Sequence, residues 1–183
     1  MFVSTTTSGL KQEGGTINLG INDDEVSTTK PVFQGKTYGA IINSGTFNFY
    51  DGILKGEEDA LNGTISGMPD GYSVKEDTET ISGTNYKTNY LQEAANIVKV
   101  GAQEFNSLIK AINYIETEGT MELIASSSIT SEITIPSDKN ITLDLAGYSL
   151  NTRKQITNNG TLTITDSSSE KDGGINCELA NCI

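Results

Sequence analysis

One phrase recurs along the chain and constrains its fold more than any other feature: a Gly-Thr pair followed by alternating apolar residues. It occurs at 14–21 (GGTINLGI), 43–53 (NSGTFNFYDGI), 62–68 (NGTISGM) and 159–166 (NGTLTITD). Asn and Gly adopt the conformations that sharp turns need, and a Thr before alternating apolar residues favours a strand with one buried face. Irregular spacing excludes a strict short repeat and suits β-solenoid strands joined by variable loops.

Every position of this phrase has an interpretation as scaffolding. In the copy at 43–53 we predict that Asn43 and Gly45 turn the chain at a corner of a coil and that Thr46 begins a strand. Phe47 and Phe49 then point inward and fill the core, because alternate side chains of a strand face the same side. We also predict that Asn residues at equivalent corners of successive coils stack their amides in a ladder.

Composition places the chain in the mainly β class. There are 19 glycines, only three prolines and no tryptophan, and Thr, Ser, Asn and Ile are frequent. β-branched residues in short runs punctuated by Gly and Asn favour strands and turns over long helices. The formal net charge of −12 repels a phosphate backbone, so we expect no nucleic-acid partner.

The sequence has no apolar stretch of the ~20 residues that a membrane helix requires, so we expect no membrane insertion. The first residues, MFVSTTTSGLKQE, lack the basic and apolar regions of a signal peptide. For an exported protein, we therefore expect the sequence to be a piece of a longer chain.

The chain divides into four segments with different residue patterns. Residues 1–70 and 119–183 carry the strand phrases, with coils of roughly 20 to 30 residues, and residues 71–104 are typical of antiparallel hairpins turning at Ser82-Gly83-Thr84 and again at Gly101. The remaining segment, 105–118, is predicted to be a helix that caps the end of the solenoid. Its apolar stripe consists of Phe105, Leu108, Ile109, Ile112 and Ile115. Asn106 or Ser107 is predicted to be the N-cap, and Gly119 the residue that stops the helix.

The second half resembles a known family. Residues 104–152, EFNSLIKAINYIETEGTMELIASSSITSEITIPSDKNITLDLAGYSLNT, contain the motif Leu143-Asp144-Leu145-Ala146-Gly147-Tyr148, and the phrase at 158–166 follows it. Together they resemble the opening of pectate-lyase-like right-handed parallel β-helices in large surface proteins of Gram-positive gut bacteria. The stretches at 39–56 and 70–81 resemble the closing coils of a similar unit. Ala146 departs from the motif, which often has Asn at this position.

The resemblance implies a fold, a location and a function. The fold is mainly β, with right-handed parallel β-helix coils, a β-hairpin appendage and one capping α-helix. Residues 1–70 are then the closing coils of one repeat and residues 119–183 the opening coils of the next. The function it implies is that of a non-catalytic, adhesin-like structural segment on the bacterial cell surface. Its partners are neighbouring repeats of the same chain, and glycans or surface proteins of the host or environment.

Two other functions remain as hypotheses. The first is a carbohydrate-active enzyme fragment, either a polysaccharide lyase or a glycosidase, and the more remote one is a phage tailspike or fibre segment. The absence of histidine excludes a Ser-His-Asp triad, and the only arginine available to a lyase is Arg153. A glycosidase needs two carboxylates, for which the candidates are Asp51, Asp144 and Asp166. Acids beside turns more often cap the turn, and we favour that interpretation.

Candidate binding residues also have two interpretations. The acidic groups that suit Ca²⁺ are Asp23, Asp24 and Glu25, and Glu57, Glu58 and Asp59. Solvated loop acids are the favoured interpretation, so we expect no cofactor and keep calcium as the alternative. The tyrosines that suit stacking on sugar rings are Tyr38, Tyr50, Tyr72 and Tyr148. Covering the edges of coils is the favoured role for Tyr50 and Tyr148.

Two short features carry covalent chemistry. Cys177 and Cys182 are the only cysteines, and we expect free thiols, with a local disulfide as the alternative and a zinc site disfavoured. The pairs Asn62-Gly63 and Asn159-Gly160 are prone to deamidation. On sequence alone, this is a chemical liability at both sites.

Overall fold

The structure is a computed structural model and describes residues 1–22, 30–129, 131–152 and 154–178. It is mainly β, with about six turns of a β-solenoid, parallel sheets and, within the described ranges, a single helix. The predicted parallel solenoid is therefore confirmed. The chain divides into two compact units, Met1–Glu93 and Ala94–Ile183. The division falls within the 71–104 segment.

The N-terminal unit is built from strands joined by tight turns. Its described strands, β1 to β8, are Phe2–Val3, Ser8–Leu19, Val32–Gln34, Tyr38–Phe49, Ile53–Gly56, Asp59–Asn62, Tyr72–Ile81 and Thr84–Glu93.

Two parallel sheets form the coils of this unit. Strands β2, β4 and β6 make one sheet, and β1, β3 and β5 make the other. Ser8 pairs with Tyr38, 30 positions later, and Tyr38 pairs with Asp59, 21 positions after that. Successive coils therefore differ in length, which explains why the sequence phrases are irregularly spaced.

Phe47 and Phe49 lie at the centre of the first core, as the alternating pattern predicts. Both are fully buried, and their rings stack with centroids 6.0 Å apart. The other buried residues of this core are Leu19, Ala40, Leu54, Ala60 and Leu91. Burial of two phenylalanines is a large hydrophobic contribution for a unit of this size.

The phrase at 43–46 takes a different local form from the predicted corner. Asn43 to Gly45 lie inside β4, which is continuous from Tyr38 to Phe49, and its pairing with β2 shifts register twice beside Gln12 and Glu13. Gly45 has a φ of 94°, a backbone conformation that residues with a side chain rarely adopt. The chain therefore bends at a β-bulge within a strand, which sequence patterns do not distinguish from a corner between strands.

The hairpin of strands β7 and β8 is confirmed. All ten pairs from Tyr72↔Glu93 to Ile81↔Thr84 are antiparallel. The two loop residues, Ser82 and Gly83, have φ values of 49° and 85°, as a tight hairpin turn requires. Strand β8 also pairs with β5, so the hairpin continues the second sheet beyond its last parallel strand.

The C-terminal unit contains the helix and the remaining strands. The helix, α1, is Leu108–Tyr114. The described strands, β9 to β18, are Val98–Val100, Gln103–Phe105, Glu118–Leu123, Ser127–Ile129, Ile133–Ile135, Asn140–Asp144, Ser149–Thr152, Ile156–Asn158, Thr161–Thr165 and Gly174–Cys177.

Among the described strands of this unit, three parallel ladders stack the coils. They are β11–β14–β17, β12–β15–β18 and β13–β16. Asn140 pairs with Thr161, 21 positions later, and Ser149 pairs with Gly174, 25 positions later. The predicted coil length agrees with both values. The core consists of inward-facing aliphatic residues, of which the most deeply buried include Leu123, Ile135, Ile141 and Leu150.

Antiparallel strands and the helix pack against the first coil of this unit. Strands β9 and β10 form the hairpin predicted at Gly101, which has a φ of 60°, and β9 pairs antiparallel with β11. The helix buries Leu108, Ala111 and Ile112 in the same core.

The helix is shorter than the predicted 105–118. Ser107 is the N-cap, and its side chain accepts from the backbone N–H groups of Ile109 and Lys110. Phe105 instead lies in β10 and Gly119 in β11, so Gly119 is not the stop. The Lys139 ammonium donates to the carbonyls of Ile112 (2.6 Å) and Ile115. A lysine distant in sequence thus satisfies the carbonyls at the end of the helix.

Cys177 at the end of β18 is disulfide-bonded. The expectation of a free thiol is therefore wrong for this residue. Cys182 lies outside the described residues.

Candidate functional site

Two of the candidate aspartates, Asp144 and Asp166, come together one coil apart. Asp144 ends β14 and pairs with Thr165, the last residue of β17, and Asp166 follows directly. Parallel stacking therefore places the two turns that leave these strands one above the other. The sequence repeats Asp after an alternating strand, which is the signal that identified both residues.

The Asp166 carboxylate binds three backbone N–H groups. Its Oδ1 accepts from Gly147 (2.9 Å) in the preceding coil and from Ser168 (3.0 Å) in its own turn, and its Oδ2 accepts from Gly173 (2.7 Å). The side-chain hydrogen bond from Ser168 and then these N–H groups lower the pKa of Asp166 to about 2. One carboxylate thereby links the turn of one coil to that of the next.

Asp144 has the same role one coil earlier. Its Oδ1 accepts from the N–H groups of Ala146 (3.0 Å) and Ser167 (2.8 Å). Partial burial acts to raise the pKa of Asp144, but the hydrogen bonds from the side chain and backbone of Ser167 and from Ala146 outweigh it and lower the pKa. Ala146 has a φ of 48°, a conformation that Asn adopts more readily than Ala. This explains the preference for Asn in motifs of this kind.

The hydrogen bonds of this pair are those of carboxylates that cap turns. The Asp166 carboxyl, with a pKa of about 2, is ionised at neutral pH, and in this form it accepts hydrogen bonds from the backbone N–H groups of both turns. Across the part of the chain that the structure describes, no three His, Cys, Asp or Glu side chains form a group able to hold a metal ion. The two carboxylates connect the turns of successive coils through the N–H groups of Gly147 and Ser167.

Asp166 makes the stability of the C-terminal unit sensitive to acid. Its folded-state pKa of about 2 lies below the ~3.9 of an unfolded aspartate, so its contribution is complete above about pH 4 and is lost as the pH falls towards 2. We expect the Tm of this unit to fall more steeply over that range in the natural chain than in Asp166→Asn. Calorimetry at a series of pH values measures this, and parallel profiles for the two proteins would contradict it.

Asp51, the third candidate, lies in the N-terminal unit. It is 7 % exposed, and its Oδ1 accepts from the N–H of Gly52 (2.7 Å). A Cβ at Gly20 would lie 2.7 Å from the Asp51 Cβ, and the N–H of Asp51 donates to the carbonyl of Leu19. Asp51 is therefore packed into the turn that leaves β4, directly against the preceding coil.

The acidic groups lie in different settings. Glu57, Glu58 and Asp59 are exposed around the turn between β5 and β6, and the Asp59 carboxylate accepts from the N–H of Ala60 (2.8 Å). Asp23, Asp24 and Glu25 lie outside the described residues. For both groups, solvated loop acids stay the prediction and calcium binding stays the alternative.

The four candidate tyrosines are spread over both units. Tyr38 begins β4 and Tyr50 follows its end, so they lie at opposite ends of this strand, while Tyr72 begins β7. Tyr148 belongs to the C-terminal unit and is 38 % exposed. The alternation pattern marks individual tyrosines and does not show which of them share a surface.

An aromatic and charged cluster lies on the hairpin sheet, at residues that the sequence patterns did not mark as a site. Tyr86, Thr88 and Tyr90 occupy alternate positions of β8 and so share one face. The Lys30 ammonium lies 5.4 Å from the centre of the Tyr90 ring, and Lys55, opposite Thr88, forms an ion pair with Glu79. The spacing of the two tyrosines is the signal that would have found this cluster.

Outward-facing asparagine amides stack between coils, although not at the corners where the ladder was predicted. The Asn48 amide donates to the Asn18 side chain (2.8 Å), and the Asn176 amide donates to Asn151 (2.9 Å). Both pairs lie on paired strands rather than at corners. Each ladder therefore adds side-chain hydrogen bonds parallel to the backbone ladder.

Comparisons with protein families, with curated proteins and with solved structures found no match to this chain. Among the residues whose placement is described, no helix has the length and apolar character that crossing a membrane requires.

Proposed function

We propose that this chain is a non-catalytic structural segment of an extracellular bacterial surface protein. The observation that carries the proposal is that Asp144 and Asp166 cap and link stacked turns, so the most regular acidic motif serves the solenoid itself. The Asn18–Asn48 and Asn151–Asn176 ladders also link successive coils of the solenoid. In this proposal the coils are right-handed and pectate-lyase-like, and the segment acts as a stalk that carries neighbouring repeats.

The disulfide at Cys177 supports the extracellular location. Disulfides persist in oxidising environments outside the cell and are rare in the cytosol. The net charge of −12 suits a soluble surface exposed to solvent. The adhesin-like part of the proposal concerns the face of β8 that carries Tyr86 and Tyr90, because tyrosine rings can stack on sugars.

A depolymerisation assay tests the non-catalytic function. The folded chain is incubated with polygalacturonate and with neutral polysaccharides, in calcium and in chelator, and unsaturated products and new reducing ends are measured. We expect no more product than from the heat-unfolded chain. Product release that Asp144→Asn or Asp166→Asn abolishes, in variants shown to be folded by circular dichroism, would overturn the proposal in favour of an enzyme.

A glycan array tests the adhesin-like part separately. Binding that is lost in Tyr86→Ala and Tyr90→Ala, and retained in Tyr148→Ala, would support presentation of glycans by the hairpin sheet. Absence of binding to every glycan would restrict the proposal to the structural role.

A further inference from the structure

The sequence contains two Asn-Gly pairs, Asn62-Gly63 and Asn159-Gly160, which are equivalent by sequence chemistry. The geometry points to Asn62 as the site where the folded protein deamidates, and to Asn159 as a protected site. This inference is independent of the proposed function, because it depends only on how the backbone N–H of each glycine is held.

The reaction needs a free glycine nitrogen. The backbone nitrogen of the glycine attacks Cγ of the preceding asparagine, a C–N bond forms, and the Cγ–Nδ2 bond breaks. The amide nitrogen leaves as ammonia and takes up the proton that the glycine N–H loses. Water then opens the resulting succinimide at either carbonyl, which leaves aspartate or isoaspartate. A hydrogen bond that engages the glycine N–H, or packing that prevents its rotation, slows the first step.

At the second pair, hydrogen bonds and close carbonyl contacts restrain the backbone. The N–H of Gly160 donates to the Asn158 side chain (3.2 Å), and the N–H of Asn159 donates to the carbonyl of Ile135 (3.0 Å). Gly160 also lies so close to the carbonyls of Pro136 and Lys139 that a Cβ there would overlap both. Rotation of the Gly160 nitrogen towards Asn159 must break the first bond and move against these carbonyls.

At the first pair, the reacting groups are exposed and lack the hydrogen bond that holds Gly160. Asn62 is exposed at the end of β6, and within the described ranges no hydrogen bond holds its side chain or the N–H of Gly63. Gly63 also lies close to the preceding coil, because a Cβ there would lie 2.7 Å from both the Cβ and the carbonyl oxygen of Ile42. In the described part of the chain, no hydrogen bond adds to this packing before the bond from the Ser66 N–H to the carbonyl of Phe47 (2.7 Å). The segment 63–65 therefore leaves the Gly63 nitrogen more freedom than Gly160 has.

Deamidation at Asn62 changes the N-terminal unit. It adds a negative charge to an already acidic chain, and isoaspartate adds a methylene to the backbone where Asn62 pairs with Ile41. We therefore expect aged protein to lose pairing at the end of β6 while the C-terminal unit keeps its structure.

Peptide mapping by mass spectrometry tests the inference. The folded chain is incubated at mildly alkaline pH, and the conversion of amide to acid is followed at both sites; a sample in denaturant provides the matched reference. We expect conversion at Asn62 to be several-fold faster than at Asn159 in the folded chain, and similar rates at both sites in denaturant. Asn62→Gln should remove the main acidic product on ion exchange.

Equal rates in the folded chain, faster conversion at Asn159, or equal protection of both sites relative to denaturant would overturn the inference. Asn158→Ala adds an independent test. It removes the acceptor that holds the Gly160 N–H, so conversion at Asn159 should rise while conversion at Asn62 stays the same. An unchanged Asn159 rate in this variant would show that the hydrogen bond does not protect the site.

Discussion

Replacing Phe47 by alanine should lower the free energy of unfolding of the N-terminal unit by about 3–5 kcal/mol, the usual cost of emptying a buried phenylalanine site. Phe47 is fully buried and stacks on Phe49 with ring centroids 6.0 Å apart. Both phenylalanines belong to strand β4, which pairs with strands on both sides, so we expect the backbone to move little into the cavity. Small domains are stable by only about 5–15 kcal/mol, so this loss is a large part of the total.

Calorimetry and hydrogen exchange resolved by peptide measure the effect of Phe47→Ala in each unit. The two hydrophobic cores share no residue, so exchange in the C-terminal unit should not change. Ile21→Ala is the control in the same unit, because Ile21 is 74 % exposed and a surface substitution of this kind costs within about 0.5 kcal/mol. Equal losses in the two variants, or equal destabilisation of both units by Phe47→Ala, would contradict the prediction.

A single methyl group at Gly56 should destabilise the N-terminal unit by at least about 3 kcal/mol, at the upper end of the cost of overpacking. A Cβ there would overlap the carbonyl oxygen of Asp59 and lie 2.6 Å from that of Thr37 and 2.7 Å from the Cα of Tyr38. All three are backbone atoms of this turn and of the preceding coil. A rotamer change cannot relieve the overlap, so the stacked turns themselves must separate.

Gly160→Ala gives the corresponding result in the other unit, because a Cβ there overlaps the carbonyls of Pro136 and Lys139. The control is Gly174→Ala, since a Cβ at Gly174 has no atom within 4 Å, and we expect a change within about 0.5 kcal/mol. Urea denaturation of the three variants provides the measurement. If Gly56→Ala is as stable as Gly174→Ala, then the turn is not as tightly packed as the structure indicates.

The sequence predicted the parts of the fold that depend on neighbours along the chain. Alternation identified Phe47 and Phe49 as core residues, and Ser82-Gly83 identified the hairpin turn, because both are local properties of a strand or a loop. The same patterns misplaced the ends of the helix. The carbonyls at its end are satisfied by Lys139, which lies 24 positions after Ile115 and reaches its carbonyl only when the coils have stacked.

The candidate site divides in the same way. The acids Asp144 and Asp166 stood out because each follows an alternating strand, but their role depends on the N–H groups of Gly147, Ser167 and Gly173 in the adjoining turns. Those contacts fix the direction in which the pKa of each carboxyl moves. Sequence spacing alone left capping and catalysis as alternatives, because both place an acid beside a turn.

The sequence by itself determined that the chain is mainly β, that its strands recur in coils and that alternate apolar residues form the core, because these follow from the geometry of single strands. Only the tertiary structure decided where the coils pack too tightly for a side chain, as at Gly56, and which Asn-Gly pair is held rigid. Both depend on backbone atoms about 20 residues away along the chain, brought into contact by the ~4.8 Å spacing of neighbouring strands. That register comes from the packing of one coil on another.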